Sequence, residues 1–124
     1  MPDNRVRFIR HGSAQILFID WSNAPSEEIL TSIAEAKRII AGSPQNSVLT
    51  LTHVANARVD RRVTEILKDY VAHNKPYVRA GAVVGLNDLK MIFFNFVNRA
   101  TGRSLRGFNT IAEAQEWLAA QKMR

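Results

Sequence analysis

The residues that can do chemistry gather in three short stretches. The first is Asp20-Trp21-Ser22-Asn23, a carboxylate, an indole and a hydroxyl in one turn-like segment; His53 closes a later apolar run. Together with Asp60, Ser22 and His53 supply the residue types of a Ser-His-Asp hydrolase. That chemistry needs its serine exposed on a strained elbow, and no G-x-S-x-G occurs in the chain. Asp20 therefore reads first as a loop cap, because Asp and Asn bond nearby backbone amides. His53 reads as a structural imidazole satisfying loop carbonyls. Trp21 reads as either a ligand-facing aromatic or a core residue.

The second stretch, Val54 to Arg62, reads VANARVDRR. It places Asn56, Arg58, Asp60, Arg61 and Arg62 where a helix starts. Free amides and guanidinium groups at a helix N-terminus suit a phosphate or another anion, and the plainer alternative is a set of solvated arginines. The third stretch, Leu89 to Val97, holds Met91, Ile92, Phe93, Phe94 and Phe96, more apolar residues than one helix stripe needs. Leu89, Ile92, Phe93 and Phe96 are assigned to the core. Met91 and Phe94 remain as the candidate interface for a protein partner or a second copy of the chain, or as one side of an apolar groove.

Other chemistries lack their residues. There is no cysteine, which excludes disulfides, a thiol nucleophile and thiolate metal sites. His11, His53 and His73 show no metal-binding spacing, so no metal is expected. Gly81 to Gly85 has the wrong spacing for a dinucleotide turn, no Walker loop occurs, and no cofactor is expected. The formal net charge is +6, and the bases and acids up to Ala57 cancel, so the whole excess follows that residue. Such a balance draws polyanions, yet no nucleic-acid module is recognisable, and a solvated basic surface is the simpler reading. No apolar run reaches membrane-spanning length and the first residues lack a signal-peptide layout. A soluble, cytoplasmic protein is expected.

The elements that must position these stretches follow from turn signals and periodicity. At 124 residues, the length and ordinary composition fit one domain with one compact core. Val6 to Arg10 and Ala14 to Trp21 form a hairpin about Gly12. A helix follows Pro25, with Ile29, Ile33, Ala36 and Ile40 on one side and Gly42 at its end. Asn46 to Val54 is a strand. Asp60 caps a helix that Asn74 ends in a left-handed conformation. Tyr77 to Val84 is a buried strand, and Asn87 caps a helix that Gly102 terminates. Ser104 to Phe108 is a short edge strand, and Thr110 to Glu113 is a capping box opening the last helix. The fold class is thus α/β: an N-terminal β-hairpin, then alternating helices and mainly parallel strands, a sheet flanked by four helices. In such sheets ligands bind at the carboxyl ends of the strands, which selects Trp21, the loop from His53 to Asp60, Gly85 to Asp88, and Phe108 to Thr110.

Several runs, in this order, resemble one family: Ile16-Leu17-Phe18-Ile19-Asp20, Val48-Leu49-Thr50-Leu51-Thr52, Lys75 to Gly85 (KPYVRAGAVVG) and Phe108 to Leu118 (FNTIAEAQEWL). Across nearly the whole chain the order of elements is similar to that of the STAS/SEC14-like domains, specifically the SpoIIAA-like group of small bacterial proteins. The resemblance implies a β-sheet flanked by helices in a β–α superhelix. In anti-anti-sigma members of the wider group a phosphorylatable serine sits in an Asp-Ser-Ser-Gly-like turn. The corresponding loop here, His53 to Asp60, has no Ser or Thr, so no phosphosite carries over. The lipid-transfer relatives enclose an apolar cavity in a larger chain, which leaves room here for a groove beside Phe93, Phe94 and Phe96. The leading expectation is a non-enzymatic regulatory or protein-interaction domain, with no catalytic residues. The alternative is a small-ligand or lipid-binding module at the strand carboxyl ends. The first requires a solid core and an exposed apolar patch; the second requires a cavity with Trp21 and Phe94 facing it.

Overall fold

The computed structural model describes residues 4–121. Nine elements follow one another: β1 (Val6–His11), β2 (Ala14–Asp20), α1 (Ser26–Ala41), β3 (Val48–His53), α2 (Arg61–Asn74), β4 (Val78–Val84), α3 (Asp88–Thr101), β5 (Arg106–Phe108) and α4 (Ile111–Gln121). Local chemistry sets most of the boundaries. Gly12 takes φ +61 in the turn that folds β1 back on β2. Asp60 and Asn87 cap α2 and α3, accepting from the amides of Val63 and Lys90, and Gly102 ends α3 at φ +70. Thr110 accepts from the Glu113 amide at the start of α4.

One expected boundary is corrected. Asn74 is not left-handed. It belongs to the last turn of α2, is buried, and the helix runs on into Lys75 at φ −52. Its side chain bonds the Tyr70 hydroxyl and the His73 Nδ1 instead. A buried amide must spend its donors and acceptors on neighbours, and these pull Asn74 inward.

The sheet order is β1-β2-β3-β4-β5, with β1 antiparallel to β2 and the other neighbours parallel. Spatial order equals chain order, so every crossover turns the same way and α1, α2 and α3 share one face. That face buries Leu17, Ile19 and Val83 beneath the three helices. On the opposite face α4 seals Ile16, Phe18, Leu49, Leu51 and Val84 with Ala114 and Leu118. The α/β class, the N-terminal hairpin, the mainly parallel sheet and the four helices are all as the sequence indicates.

The two faces differ in bulk, and the difference creates the site. Register places Leu17 beside Thr50 and Gly81, and Ile19 beside Thr52 and Val83. Under α1 the sheet is therefore floored by large aliphatics. Under α2 and α3 it is floored by two threonines, a glycine and a valine. Short side chains cannot fill the roughly 8–10 Å that separates packed layers, so a gap opens there.

Candidate functional site

The gap is a cavity of about 680 Å³ between the sheet and the α2–α3 pair. Thr50, Thr52 and Val83 line it from the sheet, Leu67, Tyr70 and Val71 from α2, and Phe93, Phe94 and Val97 from α3. Trp21, Val54 and Leu86 line it from the loops at the carboxyl ends of the strands. Its size falls within the ~300–1,000 Å³ of pockets that enclose small organic ligands. Gly81 lets Leu105, another lining residue, seat directly on the sheet: a Cβ there would lie 2.5 Å from Leu105 Cδ2 and 3.0 Å from Thr50 Oγ1.

The third helix carries two apolar stripes. Phe93, Phe94 and Val97 form the inner one, against the core. Leu89, Ile92 and Phe96 form the outer one, at 77%, 69% and 44% exposure, and they too border the cavity at its mouth. This corrects the assignment of Leu89, Ile92 and Phe96 to the core. Phe94, expected at an interface, is half-buried and packs on the core. Met91 is exposed at 40% and lies beside Phe108 and Glu113, in a separate groove. Lys68 sits over the Phe96 ring, 5.6 Å from its centre, bridging α2 and α3 on the outside.

Trp21 is buried. Its indole N–H donates to Ser32 of α1, and its ring lies 6.5 Å from that of Tyr70. It is thus a core residue and a cavity wall at once. Tyr70 is buried too, and burial pushes its phenol up to about 12 despite its bond with Asn74 and the nearby Arg103 charge, so the hydroxyl stays neutral.

The Ser22, His53 and Asp60 combination is not assembled. Ser22 donates through its hydroxyl to Asp20 Oδ1 at 2.6 Å, and its amide donates to the same oxygen at 3.0 Å. His53 Nδ1 lies 3.8 Å from that oxygen. The carboxylate therefore stands between hydroxyl and imidazole, whereas a hydrolase needs the imidazole on the hydroxyl. Asp60 is engaged elsewhere, as the α2 cap. Burial pushes the Asp20 carboxyl up, but the two Ser22 bonds, with His53 and Arg5, outweigh it and hold the group below its ordinary value. Arg5 also ties Asp20 and Ser22, through their carbonyls, to Glu28 of α1.

The expected anion site at the start of α2 is occupied from within. Asp60 takes the Val63 amide, and that bond is the main reason its carboxyl lies low. Arg61 and Arg62 face Glu65 and Glu27 across 3.8 and 3.6 Å. Arg58 is exposed, and its amide donates to the Ala24 carbonyl. Asn56, at φ +58, donates through its side chain to Asn23, and the Asn23 amide donates to Ala55. These bonds zip the β2–α1 and β3–α2 loops together. The carboxyl edge is closed there, and a sheet whose order never reverses has no crevice between diverging loops. The most exposed apolar residues of the lining, Leu89, Ile92 and Phe96, belong to α3.

Among the described residues no three His, Cys, Asp or Glu gather to hold a metal ion. No described helix is long and apolar enough to cross a membrane. No family model, curated protein or solved structure matches the chain.

Sequence reasoning missed the threonines on the floor and Arg103 at the wall. The signal was present in the alternation of β3, where Leu49 and Leu51 face one way and Thr50 and Thr52 the other. It became readable only once α2 and α3 were known to lie over the threonines.

Proposed function

We propose that this protein is a non-enzymatic binding module for a small apolar molecule, which it holds between its sheet and the α2–α3 pair. The cavity of about 680 Å³ carries this reading, since it has Trp21 and Phe94 in its wall. Those two residues are the ones a ligand-binding module requires there. Like the sequence-derived alternative, the cavity reaches the strand carboxyl ends, through Trp21, Val54 and Leu86.

A second reading is favoured by one observation. Leu89, Ile92 and Phe96 leave an apolar stripe on the surface of α3. That patch supports a regulatory or protein-interaction role of the kind the SpoIIAA-like resemblance implies, with a protein partner or a second copy as occupant. The two readings share one surface, because the stripe rims the cavity.

Native mass spectrometry of the purified chain tests both in one sample. Under gentle ionisation the 14.0 kDa protein is expected to carry a small added mass, lost on denaturation. If it comes bare, it is expected to take up 1-dodecanol or dodecanoate at one equivalent. A bare monomer that takes up neither would refute the ligand reading. A bare dimer would transfer the conclusion to the α3 stripe.

A further inference from the structure

The charges around the cavity are one-sided. Its lining includes Lys90, Arg99 and Arg103, and no Asp or Glu among the described residues. Arg99 is exposed and Lys90 half-exposed, so both belong to the rim. Arg103 is different. It follows the end of α3 and lines the cavity, and its Nη2 reaches over the sheet to within 3.4 Å of where a Cβ on Gly81 would lie. Its Nη1 donates to the Val71 carbonyl in the last turn of α2, at 2.9 Å. None of the ion pairs among the described residues includes it. The Nε and Nη2 edge of its fork accordingly meets no described carboxylate.

A guanidinium against an apolar wall loses hydration that only an anion restores in full. Desolvation indeed lowers the Arg103 pKa from its ordinary value, with the Tyr70 hydroxyl as a partial offset. The neighbours Tyr70 and Asn74 add polar groups at the same end, whereas Trp21, Leu86 and Phe94 line the rest. The Arg103 end is cationic and hydrogen-bonding and lies inside the cavity, Lys90 stands at the opposite end of α3 on the rim, and between them aromatic and aliphatic walls face a floor with two threonines. That is the shape of a site for an amphiphile.

We infer that the ligand is an anionic amphiphile of the fatty-acid class, its carboxylate on the Arg103 guanidinium and its chain along the Phe94 and Trp21 walls. This rests on the cavity being a ligand site, and adds to it the identity of the head group. Lys90 and Arg99 at the rim draw the anion in, and Arg103 holds it.

The test is titration calorimetry of the delipidated full chain with sodium dodecanoate and, separately, 1-dodecanol at pH 8. The two probes share a chain and differ in charge. Dodecanoate is expected to bind at least tenfold more tightly. Arg103→Gln should reduce that ratio to about twofold or less, and Arg103→Lys should keep most of it. Should Arg103→Gln fail to fold, the acid-to-alcohol ratio of the natural chain still decides. Equal binding of both probes overturns the head-group assignment and leaves the cavity reading intact. A preference that survives Arg103→Gln overturns the role of Arg103. Binding of neither probe overturns both readings.

Discussion

Asp20 shows how one carboxylate organises a loop without doing chemistry. It accepts both the hydroxyl and the amide of Ser22, and Arg5 clamps the same turn to α1. Its folded pKa is depressed, so its contribution to stability is present above the ordinary carboxyl value near ~4 and is lost as pH falls through the lower folded value. Ser22→Ala removes the hydroxyl bond and should cost about 1 kcal/mol at pH 7. The cost should shrink on acidification below about pH 4, where Asp20 protonates in the variant first. Urea unfolding at pH 7 and at pH 3 measures this; an equal loss at both values would assign the effect to packing. Asp60, Asn87 and Gly102 were legible as helix ends because a cap depends on its own few residues. Asn74 was not, because its inward turn depends on Tyr70 and His73 across one helical turn and on burial that no local signal reports.

At the scale of elements, α3 is the least settled piece. Only Val97 of its residues is buried, and it rests chiefly on α2. Its sequence offers two apolar stripes, 93-94-97 and 89-92-96, and spacing alone does not say which turns inward. Packing decided it: the floor below is short, so the aromatic pair Phe93 and Phe94 reaches down. Ile92→Lys should therefore leave stability within about 0.5 kcal/mol of the natural chain, whereas Phe94→Asp should cost about 1–3 kcal/mol. Chemical denaturation compares them, and equal costs would place both side chains on one side of the helix. The edge strands behave differently. β1 carries Arg7 and Arg10, and β5 is three residues long with Arg106, features that discourage sheet edges from pairing with other chains. An association of copies would accordingly use the α3 stripe before a sheet edge.

The whole molecule is a sheet wound in one direction, with three helices on one face and one on the other. Alternation and caps made the class and element order readable from the sequence, because each depends on neighbours in the chain. The cavity was not readable. It arises where Thr50, Thr52 and Val83 from two strands fall under α2 and α3, which requires both register and strand order. The carboxyl-end rule pointed to loops that do line the cavity, through Trp21, Val54 and Leu86. Filling the space is the most direct experiment. Thr52→Phe projects a ring from the floor into the cavity. Equilibrium unfolding should show stability unchanged or raised, and calorimetry should show dodecanoate uptake abolished. A loss of about 1–3 kcal/mol, the usual cost of overpacking a filled core, together with undiminished uptake, would mean that no such cavity holds the ligand.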